Sequence, residues 1–335
     1  MLYKQLMITF NISSFSNPIN ETDFGIPVPA LKAILIPYFI INILFGLLGN
    51  SIVIRSTYLV DVWRFEESLI TLLRYLAFTD AGLTLLHILP QFVSLVADSW
   101  ILREVGVVIA FVRYPLFMME MSLVLALSLI KLYLIRNPFH SGSHTTVLVI
   151  KIVFPLLFVF FLVVDFSKIV RCYMNENISC YSYYKPSLLR CTFKTDDRFG
   201  GLLKIVYGLV VMFLLVLANL AIIFEVWKSL RVGEKGRMKS IAVVSVVCWI
   251  FIISYLPFLL ISTHLNIHAN SEIVYFASEQ FVNLSITSNP IVYTLLYRDF
   301  FQHVVRSFGI GRVQKGVVRS EGREITQATV SDNDL

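Results

Sequence analysis

Long apolar stretches dominate the chain and alternate with short polar segments. A helix that crosses a bilayer needs about 20 mostly apolar residues, and seven stretches reach that length. They are Leu31–Thr57, Leu69–Val96, Val105–Ile135, Thr146–Lys168, Phe199–Lys228, Ile241–Thr263 and Ile273–Leu296. The pattern predicts an all-α membrane protein built as a bundle of seven transmembrane helices.

A shorter pattern follows the seventh stretch. Apolar residues recur there every three to four positions and alternate with polar ones, which predicts a short amphipathic eighth helix over 297–308 in the membrane interface. The apolar positions are Phe300, Phe301, Val304, Val305 and Phe308, opposite Arg298, Gln302, His303 and Arg306. We therefore divide the chain into an outer N-terminus (1–30), the bundle (31–296), the eighth helix (297–308) and a disordered cytoplasmic tail (309–335).

Composition supports a lipid environment and excludes several kinds of protein. Hydrophobic residues make up 57% of the chain and charged residues 15%, against about 25% charged in soluble domains. The net charge of +6 does not indicate a nucleic-acid partner, because the basic residues lie between apolar stretches. The four cysteines lack the spacing of a zinc site. No catalytic constellation is present, so we do not expect an enzyme.

Glycosylation sequons and basic residues predict the orientation. Asn11 and Asn20 begin sequons before the first stretch, and Asn177 begins one after the fourth. Seven crossings place all three on one side of the membrane, while most loops on the opposite side are basic. The positive-inside rule then places the N-terminus outside. We expect a multi-pass protein of the plasma membrane. The loop after the fourth stretch is also basic, which weakens the charge argument.

Short motifs around polar residues of the apolar stretches carry a family resemblance. They are Gly49-Asn50, Leu76-Ala77-Phe78-Thr79-Asp80 and Asn289-Pro290-Ile291-Val292-Tyr293, with Phe251 and Pro257 in the sixth stretch and Pro138-Phe139 after the third. Over roughly residues 32–308 their order and spacing resemble the rhodopsin-like (class A) G-protein-coupled receptors. The resemblance implies an extracellular ligand, signal transduction to a heterotrimeric G protein, and arrestin as a further candidate partner.

The inner face departs from the family pattern. Ile130-Lys131-Leu132 stands where relatives have Asp-Arg-Tyr, and Arg237 lies near the position of their acidic partner. Lysine lacks the planar fork of arginine, so the usual inactive-state lock cannot form and we expect high basal activity. Tyr255 replaces the usual tryptophan. The residues assigned to the activation switch and the G-protein face are Lys131, Pro138, Phe139, Arg237, Phe251, Tyr255, Pro257, Pro290 and Tyr293.

The cysteines also depart from the family. The usual cysteine at the outer end of helix three is absent, and the second outer loop contains Cys172, Cys180 and Cys191. A disulfide within this loop resembles the arrangement in lipid-sensing and melanocortin-like relatives. Three cysteines leave one unpaired, and the sequence leaves the pairing open.

Two carboxylates are expected in the middle of the bundle. In relatives, the positions of Asp80, Glu120 and Asn289 line a sodium pocket. Charged groups at this depth are rare and usually functional, so the first interpretation is a sodium ion or a proton shared between the acids. The alternative is one neutral carboxyl group hydrogen-bonded within the bundle.

A second polar set lies nearer the outer end. Arg113 is seven residues before Glu120, where amine receptors have an aspartate, and Glu279 faces it by the family alignment. Arg113 either anchors an anionic or lipid-like ligand or forms an internal ion pair with Glu279. His87, Gln91 and Asn283 are the other candidate ligand contacts. Asn283 also stands where opsins carry their retinal-binding lysine, which argues against light sensing.

Two other kinds of function fit parts of the sequence. The altered Ile130-Lys131-Leu132 triplet is compatible with a seven-helix scavenger or partner subunit that has lost coupling. A transporter or channel is a further alternative, but it needs a continuous polar path, and the fourth and sixth stretches are almost entirely apolar.

Overall fold

The structure, a computed structural model, describes residues 28–59, 67–97, 103–137, 144–174, 180–185, 190–195, 198–232, 238–263 and 271–296. Within these ranges, seven helices coincide with the seven predicted stretches. Helix α1 is continuous through Val28–Leu44, Phe45–Gly49 and Asn50–Leu59, and α2 through Glu67–Leu83, Thr84–Ile88 and Leu89–Ala97. The others are α3 (Arg103–Arg136), α4 (His144–Met174), α5 (Arg198–Val232), α6 (Met238–Thr263) and α7 (Ser271–Leu296).

Helix length and composition fit a membrane solvent. Among the described residues, five helices are long and apolar enough to cross a bilayer, and α6 has a shorter apolar segment, Ser245–Ile261. Large apolar side chains such as Leu156, Val163 and Phe213 are exposed on α4 and α5, which suits a lipid-facing surface. Helix α7 carries more polar residues, and these are buried against the other helices.

Helix α3 is the centre of the bundle. It packs against α2, α4, α5 and α6, while α7 packs against α6, α1 and α2 and closes the bundle. Two contacts tie α3 to α5 and α6: the Ser122 hydroxyl lies 2.5 Å from the Tyr207 hydroxyl, and Ser128 Oγ lies 2.8 Å from Cys248 Sγ. The buried residues of α3 therefore meet most of the other helices.

Helix α1 approaches its neighbours closely. The segments Phe45–Gly49 of α1 and Thr84–Ile88 of α2 are both π-helical, and Gly46 packs directly on Thr84. One turn further, a Cβ atom on Gly49 would lie 2.8 Å from Pro290 Cβ. Small residues allow such backbone contact in membrane bundles.

A β-hairpin lies between α4 and α5 and was not predicted. Strands β1 (Cys180–Lys185) and β2 (Arg190–Thr195) pair antiparallel, and β2 packs against α3. The tyrosines, threonines and phenylalanine of this hairpin suit a strand, and the predicted seven-helix bundle around it is confirmed.

The hairpin register bears on the disulfide candidates. Cys180 lies opposite Thr195, whereas Cys191 lies opposite Tyr184. The two cysteines are thus four positions apart along the ladder, about 14 Å between Cα atoms at about 3.4 Å per residue. A disulfide needs Cα atoms about 4.4–6.8 Å apart. The register therefore disfavours a Cys180–Cys191 pair, and a pair that includes Cys172 stays a prediction.

Several predicted features lie outside the described residues. They are the N-terminal segment with Asn11 and Asn20, the sequon at Asn177, the eighth helix over 297–308, and the tail. The same holds for Pro138, Phe139 and Arg237 of the predicted inner face.

The glycine contact leads to a stability prediction. We expect Gly49→Ala to lower the free energy of unfolding by about 1–3 kcal/mol, because the added methyl group meets the rigid ring of Pro290. Gly82→Ala is the matched control, since its Cβ atom would lie 3.4 Å from the nearest atom, in the flexible side chain of Leu116. Thermal melting of the detergent-solubilised protein measures both variants. A Gly49→Ala protein as stable as Gly82→Ala would contradict the expectation.

Candidate functional site

An arginine, a histidine and a glutamate meet in the half of the bundle that holds the N-terminal end of α3, which the sequence predicts to be the outer half. Arg113 of α3, His87 of α2 and Glu279 of α7 are 5%, 1% and 1% exposed. Arg113 Nη1 lies 3.3 Å from His87 Nδ1, and His87 Nε2 lies 3.5 Å from Glu279 Oε1. We call these three residues the outer triad. His87 connects two charges that the sequence predicted to face each other.

The π-helical segment of α2 carries His87 into this position. The wider turn over Thr84–Ile88 places one more residue in the turn than an α-helix would. His87 packs edge-to-face on Phe117, with ring centroids 5.1 Å apart. Phe117 of α3 therefore packs against the ring, and a charged group lies near each of its nitrogens.

Three amide side chains form a second cluster beside the outer triad. Asn283 Nδ2 donates to Gln91 Oε1 at 3.2 Å and to Gln280 Oε1 at 3.0 Å. The Tyr38 hydroxyl of α1 donates to the backbone carbonyl oxygen of Gln280 at 2.7 Å. Gln91 and Asn283, both predicted as ligand contacts, therefore lie together and join α2 to α7.

The predicted carboxylates come together about two helical turns further along the bundle from the outer triad. Asn289 Nδ2 donates to Asp80 Oδ2 at 2.9 Å, and the Tyr255 hydroxyl donates to Glu120 Oε2. Asp80 and Glu120 are fully buried and close enough to interact electrostatically. We call Asp80, Glu120, Asn289 and Tyr255 the carboxyl cluster.

The donor set of the carboxyl cluster suits a hard cation. Asp80 Oδ1 and Glu120 Oε1 are buried and lack a hydrogen-bond partner in the described part of the chain. Oxygen atoms of this kind are ligands for hard metal ions, and two carboxylates in a dry site need a cation or a proton. The residues therefore fit a sodium ion as well as they fit a shared proton.

Aromatic side chains link the outer triad to the carboxyl cluster. Phe117 contacts His87 on one side and Tyr255 on the other, the latter with ring centroids 6.2 Å apart. Tyr255 stacks on Phe251 at 4.1 Å and lies two residues before Pro257 in α6. Phe117 and the Tyr255–Glu120 hydrogen bond were both missed from the sequence. The hydrogen bond could have been predicted from the sequence, because Glu120 is an acid inside an apolar stretch and Tyr255 offers a hydroxyl group in the middle of another.

An ion pair joins two helices at the end of the bundle that the sequence predicts to be cytoplasmic. Lys131 is half-buried. Arg136, at the end of α3, donates from Nε to Glu225 Oε1 of α5 at 2.9 Å. Pro290 is buried against Gly49, and Tyr293 lies in the last turns of α7. An ion pair between α3 and α5 is therefore present where the sequence predicted only the loss of a lock.

A comparison with solved structures indicates the fold. Neither the models of known protein families nor the sequences of curated proteins match the chain. Among solved structures, the crystal structure of squid rhodopsin is similar, with 14% sequence identity, a TM-score of 0.67, and coverage of 89% of this chain and 90% of that chain. The protein therefore has the seven-helix rhodopsin fold.

Proposed function

We propose that the protein is a receptor of the G-protein-coupled type, which binds a ligand at the outer triad and the neighbouring amide cluster. It signals to a heterotrimeric G protein at the opposite end, with arrestin as a further candidate partner. Its N-terminus is extracellular and glycosylated, and the protein is located in the plasma membrane. The rhodopsin fold supports this proposal, because the triad lies within the outer half of such a bundle.

The contact chain through Phe117 and Tyr255 is the observation that carries the proposal. Signalling requires a ligand to favour one of two arrangements of the bundle. A ligand that displaces His87 also displaces Phe117, and Phe117 packs on Tyr255 of α6. The Tyr255 hydroxyl in turn binds Glu120 of α3. A change at the outer triad is therefore passed to the relation between α3 and α6.

The hydrogen-bond donors of Arg113 favour an anionic or lipid-like ligand over a protonated amine. Arg113 is a bidentate donor for carboxylate or phosphate groups, and it occupies the position where amine receptors have an acid. The neighbouring rings of Phe117 and Tyr114 suit an apolar portion of the ligand.

A protein without coupling is the second candidate function. Ile130-Lys131-Leu132 removes the arginine that receives the G protein in relatives, which favours a scavenger or a partner subunit. A transporter or channel is less well supported, because α4 and α6 are strongly apolar. Nucleotide exchange separates the first alternative from a receptor, and ion flux separates the second.

Basal signalling tests coupling directly. We expect the protein, reconstituted without ligand, to accelerate nucleotide exchange on at least one G protein of a panel severalfold over empty vesicles. Ile130→Asp and Lys131→Arg, combined with Arg237→Glu, should lower this rate because they restore the restraint found in relatives. Basal exchange at the empty-vesicle level, together with activation by an added agonist, would refute high basal activity. Exchange that stays at background under every condition would favour the uncoupled alternative.

Sodium dependence tests the carboxyl cluster. We expect sodium chloride to raise the melting temperature above that in potassium chloride of equal concentration, because an ion that binds only the folded state stabilises it. Glu120→Gln should remove the difference while it keeps an acceptor for Tyr255. Glu225→Gln, which removes an equal charge outside the cluster, is the control and should retain it. If parent and Glu120→Gln respond alike to sodium and to pH, the two carboxyl groups are not coupled.

Orientation has an independent test. An epitope tag before Met1 should be accessible to antibody on intact cells, and Asn11→Gln with Asn20→Gln should increase mobility on a denaturing gel. Staining only after permeabilisation, with the protein verified at the plasma membrane, would reverse the proposed orientation.

A further inference from the structure

The contacts of His87 fix where its proton lies. Arginine is always protonated and its nitrogens only donate hydrogen bonds, so His87 Nδ1, 3.3 Å from Arg113 Nη1, must accept. A ring that accepts at Nδ1 is neutral and carries its proton at Nε2. That nitrogen faces Glu279 Oε1 at 3.5 Å. The outer triad is thus a relay in which a neutral imidazole separates a cation from an anion.

Counted over its three members, the relay is electrically neutral. The positive charge of Arg113 balances the negative charge of Glu279, and His87 contributes none. All three side chains are buried inside a bundle that spans hydrocarbon, where an uncompensated charge is costly. Whatever enters the triad must therefore leave its total charge close to zero.

Arg113 has donor capacity that the relay does not use. Its Nε atom is buried and has no hydrogen-bond partner in the described part of the chain. A carboxylate that accepts from Nε and a second guanidinium nitrogen would satisfy this donor with the geometry arginine prefers. A carboxylate alone, however, would leave the triad with one excess negative charge.

We propose that the outer triad binds a carboxylate ligand together with one proton, which His87 takes up. The carboxylate takes over the donors of Arg113, including the one that His87 Nδ1 accepts in the relay. A proton from solution then binds at Nδ1, and the imidazolium lies between the ligand carboxylate and Glu279. Two positive and two negative charges are then present, so the site stays neutral. No bond other than the new N–H bond is formed or broken. This inference deepens the proposed ligand site and depends on it.

Acidification should therefore strengthen binding. The bound state holds one more proton than the free state, so its population rises as pH falls, with about tenfold in affinity per pH unit as the ceiling for one proton. Other charged or titratable groups lie on α2 and on other helices of the bundle. They are Arg113 and Glu120 on α3, Glu279 on α7, Asp80 on α2, Tyr38 on α1 and Tyr255 on α6.

A soluble carboxylate with one aromatic ring is a suitable probe. We choose 4-phenylbutyrate, which stays ionised between about pH 6 and 8, and its neutral amide as the matched compound. The detergent-solubilised full chain is titrated with each compound, and the melting temperature is measured at about pH 6 and at about pH 8. We expect the carboxylate to stabilise the protein with a midpoint severalfold lower at the acidic pH, and the amide to have no effect at either.

Four variants separate the roles of the triad. Arg113→Gln should lose the response to 4-phenylbutyrate. His87→Asn keeps an acceptor near Nδ1 but does not titrate, so any remaining response should be independent of pH. Glu279→Gln leaves a site that an anion alone neutralises, so it should be less stable without the probe and bind it equally well at both pH values. Ser94→Ala, whose hydroxyl donates to Pro90 O, is the buried control on α2 and should behave as the parent.

The outcomes distinguish this inference from the proposed function. Equal midpoints at both pH values in the parent would overturn the proton coupling, and so would unchanged pH dependence in His87→Asn or in Glu279→Gln. A response that persists in Arg113→Gln, equal stabilisation by the amide, or no stabilisation by the carboxylate at either pH would overturn the assigned ligand class. Failure of G-protein exchange with pH-dependent carboxylate binding intact would instead reject only the signalling role.

Discussion

Neutralisation of buried charge constrains the interior of this protein more than any single packing contact. Asp80, Arg113, Glu120 and Glu279 are all buried, and lipid cannot solvate them. Each therefore needs a partner from another helix, and these partners determine which helix faces must meet. Asn289 of α7 serves Asp80, Tyr255 of α6 serves Glu120, and His87 of α2 serves both Arg113 and Glu279.

Helix α3 acquires its central place from the same constraint. It carries Arg113 and Glu120 two turns apart, with Phe117 between them. The arginine requires α2 and, through His87, α7, while the glutamate requires α6. The apolar residues around them fill the space between these contacts, but they do not specify which helices are neighbours, since lipid and protein interiors are similarly apolar.

The seven helices could be predicted because the membrane imposes a length that apolar stretches must meet. The grouping of Asp80, Glu120 and Asn289 was implied by the resemblance to rhodopsin-like receptors, in which these positions line one pocket. His87 as a bridge could not be predicted in this way, because its place depends on a π-helical turn over Thr84–Ile88 that propensity does not reveal. The hairpin was missed because its strands, Cys180–Lys185 and Arg190–Thr195, are too short to give a clear hydrophobic pattern beside seven long apolar stretches.

The π-helical turn in α2 has a consequence for how this protein tolerates changes in chain length. An α-helix turns about 100° per residue. The loss of one residue from a regular helix therefore rotates all later side chains onto a different face and normally disrupts packing. In Thr84–Ile88 the chain already holds a residue in excess. Deleting one there would return α2 to regular α-helix and turn the histidine relative to the other members of the triad. The side chain that α2 presents to the triad is thus open to replacement by the loss of a single codon.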